Sequence, residues 1–209
     1  MAISDSSDID GTGETLKARL ARRPLPLAEA LDLAAQIAAA LAASHQRGVV
    51  YRNLEPATVR ISPEEKVELA AAGLPSGDSA ASTAYRSPED LRGEPLDARS
   101  DVWSLGVILY EMLTGRVPFA GTGEEVARAI LEEAPVPVSL PLPGFPPALE
   151  RIVEQALAKN PAARYTQVEE MRADLLSVDA ALLEGAHRQA VTRPFPVEFA
   201  ATDLTTLKP

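Results

Sequence analysis

The stretch Asp101-Val102-Trp103-Ser104-Leu105-Gly106-Val107-Ile108-Leu109-Tyr110-Glu111-Met112-Leu113-Thr114 decides the fold. Its apolar residues do not keep to one stripe but encircle the helix. A helix without a polar face must be surrounded by protein, so this one is expected to be the axis of the core. The remainder of the chain has to supply the elements that cover it.

Upstream, Leu27, Leu31, Ala34, Ala38 and Leu41 recur in steps of four and three, which traces one face of a helix ending before Gly48. A shorter helix is expected over 14–21. Val49-Val50, 58–61 and 66–69 are strand candidates, and Ser62-Pro63-Glu64-Glu65 reads as the turn of a hairpin joining the last two. Residues 70–87 are rich in small side chains and predict a loop. Downstream, helices are expected over 124–132, 148–158 and 166–183. The last begins with Thr166 and Glu169 in capping-box spacing and keeps Val168, Met171, Leu175, Val178 and Leu182 on one face. The Pro-rich stretch 135–147 reads as a surface loop.

Composition agrees with a helical domain. The chain has 209 residues, 46% hydrophobic but only 4% aromatic, and is rich in Ala and Leu. A formal charge of -10 opposes sequence-independent nucleic-acid binding, which needs basic residues to displace counterions, and favours basic or neutral protein surfaces as partners. There is no cysteine, hence no disulfide, thiolate nucleophile or thiolate metal site, and His45 and His187 are too far apart in sequence to suggest a histidine cluster. The start, MAISDSSDIDGTG, is acidic and polar, unlike a signal peptide, and no apolar run approaches ~20 residues. The expectation is a cytoplasmic protein with no membrane partner.

Four strings in order resemble the C-terminal lobe of a bacterial-type Ser/Thr protein kinase. His45-Gln46-Arg47-Gly48-Val49-Val50-Tyr51-Arg52-Asn53-Leu54-Glu55-Pro56 is similar to the approach to the catalytic loop, H-x-x-G-[IV]-x-H-R-D-L-K-P. Tyr85-Arg86-Ser87-Pro88-Glu89 looks like the end of the activation segment, Asp101-Val102-Trp103-Ser104-Leu105-Gly106 follows it, and Asn160-Pro161-Ala162-Ala163-Arg164 resembles D-P-x-x-R. The resemblance implies a mainly α, C-lobe-like domain with a small β-hairpin over 13–183, after a flexible lead (1–12) and before a tail (184–209). It also implies that Asp101 bonds the backbone of the catalytic loop, that Glu89 and Arg164 pair, and that Arg52 would face any phosphate on Ser79, Ser82 or Thr83. Asp10-Gly11-Thr12-Gly13-Glu14-Thr15-Leu16 looks like the segment just after the hinge, which implies that the N-terminal lobe is absent.

The residues that carry the family's chemistry are replaced. Phosphoryl transfer needs a carboxylate to orient the acceptor hydroxyl and oxygen ligands for Mg²⁺. The catalytic Asp falls on Asn53, whose amide is no general base, and the phosphate-touching Lys falls on Glu55. The Mg²⁺-binding Asn falls on Thr58, and D-F-G falls on Ala71-Ala72-Gly73. The apolar floor under adenine falls on Arg60. These replacements imply a pseudokinase without catalytic residues, cofactor or metal, acting as a scaffold for a protein partner such as an active kinase or a second copy. The alternatives are an active or ATP-binding kinase using ATP and Mg²⁺, and a non-functional remnant. In the tail, Phe195 and Phe199 of Pro194-Phe195-Pro196-Val197-Glu198-Phe199 are candidates for docking onto the vacated surface or a partner.

Overall fold

A computed structural model of the chain describes residues 13–22, 25–70, 80–121, 123–139 and 145–178, with the side chains of 80 and 81 left aside. The lead, the tail with Phe195 and Phe199, and Ala71 lie outside the described residues.

The encircled apolar stretch forms helix α5 (Ala98–Thr114), with Val102, Trp103, Leu105, Val107, Ile108, Leu109 and Met112 all buried. Asp97 caps its start by accepting from the Arg99 N–H at 2.8 Å, and Gly115 ends it in a left-handed turn at φ 74° that a side chain would disfavour. Against α5 packs α2 (Leu27–His45), buried along Leu27, Leu31, Ala34, Ile37, Ala38 and Leu41. By length and composition α2 could cross a membrane, contrary to the expectation that no apolar run is long enough. Most of it is buried within this domain, where it also packs on α8 (Val168–Ser177) and on the strand Val67–Leu69. α7 (Pro147–Ala156) crosses α5 at Gly106, where a Cβ would come within 2.8 Å of Ala156 Cβ. α6 (Glu124–Glu132) completes the helical layer.

The expected hairpin is present as β2 (Val59–Ile61) and β3 (Val67–Leu69), closed by the Ser62 N–H donating to the Lys66 carbonyl. It gains a third strand. Glu14 and Thr15, expected to start a helix, form β1 antiparallel to β2, opposite Ile61 and Arg60. The Thr15 hydroxyl then caps α1 (Leu16–Leu20) by accepting from the Ala18 N–H. Val49 forms no strand, because its N–H is drawn back to the Ser44 carbonyl at the end of α2. Within the expected loop 70–87 stands α3 (Ala80–Thr83), and just after it α4 (Pro88–Leu91), with Ser87 as its cap and Pro88 in its first turn.

α8 starts later than its capping-box reading predicts. Gln167 is the boundary residue, and it is Glu170, not Glu169, that reaches back to the Thr166 N–H at 3.2 Å. That carboxylate meets a backbone donor one residue before the cap, which displaces the expected Thr166–Glu169 pairing.

Candidate functional site

The site is built where the loop after α2 meets the first turn of α5. Asp101 is 1% exposed. Its Oδ1 accepts from the Arg52 N–H at 2.8 Å, and its Oδ2 accepts from the Tyr51 N–H at 2.8 Å and lies 2.7 Å from His45 Nε2. These bonds hold Arg52 at φ 68°, a left-handed conformation that costs a residue with a Cβ ~1–3 kcal/mol. The Tyr51 hydroxyl, beyond its buried ring, donates to the Ala70 carbonyl at 3.0 Å and ties the loop to the exit of β3.

Beyond this anchor the loop turns on Thr58. Its hydroxyl accepts from the Glu55 N–H at 3.2 Å, and its single hydrogen is shared between the carbonyls of Asn53 and Glu55, at 3.0 and 2.9 Å. Asn53 makes no side-chain hydrogen bond to a described residue. Glu55 accepts a 2.8 Å bond from the Ser82 hydroxyl of α3, so a carboxylate of the loop is fastened to the segment that faces it. Arg60 stands on the exposed side of β2, between Thr15 on β1 and Glu68 on β3, while Val59 and Ile61 point into the core.

A shallow pocket opens beside Arg52, Asn53 and Glu55 and is closed by Ser82, Tyr85 and Arg86. Tyr85 donates to Glu111 at 2.7 Å, and Arg86 pairs with Asp90 at 2.6 Å. Burial, with Glu111 and Glu55 adding to it, pushes the Tyr85 phenol far up, and burial raises the Glu111 carboxyl although Tyr85 donates to it. Sequence reasoning passed over Glu111, took Tyr85 only as part of a motif string, and gave Ser82 only as a candidate phosphate carrier facing Arg52, not as a partner of Glu55. The available signal was Glu111 itself, a carboxylate inside an otherwise apolar helix.

Glu89 and Arg164 form a buried bidentate pair, Nη1 to Oε1 at 2.7 Å and Nη2 to Oε2 at 2.8 Å. The guanidinium also donates to the carbonyls of Ala158, Arg99 and Lys159, and Glu89 accepts from the Ser100 hydroxyl. Burial alone would raise Glu89, but Arg164 and Ser100 outweigh it and hold the carboxyl below its ordinary value. The pair binds α4, α5 and the 3-10 turn Pro161–Ala163 into one block.

A model of the protein kinase domain matches residues 10–176 of this chain. The chain is 42% identical over 168 residues to serine/threonine-protein kinase PknB of Mycolicibacterium smegmatis, covering 74% of this chain and 27% of that protein. The PknB of Mycobacterium leprae is 41% identical over 167 residues, with the same coverage. Serine/threonine-protein kinase PknL of Mycobacterium tuberculosis is 37% identical over 178 residues, covering 79% of this chain and 45% of that protein. The chain therefore spans about a quarter to under a half of the length of these relatives. With Asp101 pinning the loop at Arg52 and with the family model running through every described element but the end of α8, this chain belongs to the bacterial-type Ser/Thr protein kinase family.

Proposed function

We propose that this chain is a catalytically inactive kinase-family module that binds protein, either an active kinase or a second copy of itself. The observation that carries the reading is the contrast within one loop. Asp101 fixes the backbone at Tyr51 and Arg52, while the next side chain is the amide of Asn53, and Glu55 is engaged by Ser82. An amide cannot accept the proton of an attacking hydroxyl, and a carboxylate at position 55 repels a transferred phosphate where the family has Lys. The donor set suits Mg²⁺ poorly. The Thr58 hydroxyl is committed to the turn, and no group of three or more His, Cys, Asp or Glu is gathered among the described residues. Arg60 on the outer face of β2 places a long cation where the family lays adenine on an apolar surface. The charge of -10 favours a partner with a basic or neutral surface over nucleic acid.

The test is Mg-ATP in a melting experiment on the full chain. A ligand at ~100 times its Kd adds ~2.7 kcal/mol, and ~1 kcal/mol moves a domain of this size by ~2–4 °C. An unchanged, cooperative melt, with phosphate incorporation no higher than in Asn53→Ala, is expected. A clear upward shift, or labelled phosphate above that control, overturns the reading, and a melt without cooperativity favours a remnant. The names of the PknB and PknL relatives favour a second reading, a Ser/Thr kinase transferring phosphate, and the same experiment decides between them.

A further inference from the structure

Past the end of α6 the chain runs through Glu133-Ala134-Pro135-Val136-Pro137-Val138, which is neither helix nor strand. Its exposure repeats every three residues. Pro135 is half-buried and Val138 is 1% exposed, whereas Glu133, Ala134, Val136 and Pro137 are open to solvent, Val136 at 51%. A period of three belongs to the polyproline II helix, while a strand would alternate with a period of two.

Local chemistry dictates the same backbone. Each proline fixes its own φ and pushes the residue before it, Ala134 or Val136, into an extended conformation. Glu133 is extended too, at φ -98° and ψ 145°. Both ends of the stretch are fastened. At its start, Lys159 Nζ donates to the Ile130 carbonyl in the last turn of α6 at 2.5 Å and sits 3.8 Å from the centroid of Phe119. A helix end favours such a cation, and so does an aromatic face. At its finish, Val138 is buried, and the Ser139 N–H and hydroxyl both donate to Glu150 Oε1 of α7, at 3.2 and 2.6 Å. A ridge held in this way has little conformational freedom left to lose on binding.

We propose that residues 133–137 form a docking ridge for a partner domain that reads polyproline II, through a groove lined by aromatic rings with basic side chains at its rim. Grooves of this kind take a preformed proline-containing helix against aromatic faces. Val136-Pro137 supplies the exposed apolar pair. Among the described residues the carbonyls of 134–137 accept no hydrogen bond, so they are left for donors of the groove. Glu132 and Glu133 stand at the head of the ridge, and the Glu133–Arg128 ion pair, 3.6 Å long and exposed on both sides, neutralises little of that charge. A basic rim complements it. Strand addition is the competing use, and the prolines oppose it, because neither can donate to a ladder. The inference does not rest on the proposed function, since it uses no residue of the loop that carries Asn53 and Glu55.

The test titrates the 15N-labelled full chain with a panel of purified SH3 and WW domains, some with basic and some with acidic groove rims. Basic-rimmed domains should give saturable shifts of the Glu133, Ala134, Val136 and Val138 amides, and acidic-rimmed ones none. Val136→Glu and Pro137→Ala should each weaken that binding at least about tenfold and leave the melt unchanged. Leu176→Glu, at an exposed apolar side chain of α8, should bind like the parent. The proposal is overturned if no member of the panel shifts these amides, if only acidic-rimmed domains do, or if binding survives both ridge substitutions. Equal loss in Leu176→Glu also overturns it, since the contact would then be general apolar adhesion. Should Pro137→Ala fail to fold, Val136→Glu, at an exposed side chain, still decides it.

Discussion

Asp101, in the first turn of α5, and Asn53, on the loop that Asp101 anchors, answer to different constraints. Asp101 satisfies the buried N–H of Tyr51 and the half-buried N–H of Arg52 and holds Arg52 in its left-handed turn, whereas Asn53 bonds nothing among the described residues with its side chain. Removing Asp101 strands those donors, at ~1–3 kcal/mol each. Glu89 and Arg164 are bound by a similar argument, since deleting one partner of a buried pair costs ~3–5 kcal/mol. Asp101→Ala and Glu89→Ala are therefore expected to lower the urea midpoint severely, by the equivalent of at least ~3 kcal/mol. Asn53→Ala should stay within ~0.5 kcal/mol of the parent. Comparable small losses in all three would mean that the loop is held by something other than Asp101 and the Glu89–Arg164 pair.

β1 is only two residues long, and its position depends on a glycine. Gly13 has φ 79°, and a Cβ there would sit 2.1 Å from the Ile61 carbonyl oxygen, so Gly13→Ala must either break the β1–β2 pairing or strain it. Such a change should cost ~1–3 kcal/mol, and amide exchange should show Ile61 losing protection while Arg60, turned toward β3, and α5 keep theirs. β1 also shows where sequence reading stops. α2, α5 and the hairpin could be read because each repeats its apolar residues with a helical or strand period or ends in recognisable turn chemistry. A two-residue strand has no period, and it exists only because β2 lies alongside it. α3 and α4 are each about one turn long, too short to show a repeat. In the site, the motif strings led to Asp101, Glu89 and Arg164, but the Ser82–Glu55 and Tyr85–Glu111 bonds join segments 27 and 26 residues apart that no local pattern connects.

The molecule carries 30 acidic against 20 basic residues, and the acidic groups do not all pull the same way. Glu89 and Glu14 are lowered by arginine partners in spite of burial, Glu65 is lowered by Arg19, and Asp97 by Arg99. A carboxyl lowered by folding adds stability that is present above its unfolded value, 4.5 for Glu and 3.8 for Asp, and is lost as pH falls through the folded one. Glu111, raised by burial, has the opposite sign, since its cost is relieved on protonation. The urea midpoint should thus fall steeply below pH 4.5, and Glu111→Gln should be at least as stable as the parent at pH 7 while still losing stability in acid. A midpoint level down to pH 3 would contradict the role given to the arginine pairs.

The packing of α2 on α8 has a consequence for synthesis. α2 ends at His45 and α8 begins at Val168, so at ~5–20 residues per second the ribosome exposes the long apolar face of α2 for ~6–25 s before its cover is made. Nascent chains in that interval present the kind of surface that chaperones bind. A chain halted after Tyr165 should accumulate in the insoluble fraction or on a chaperone, while the chain released with α8 should partition into the supernatant.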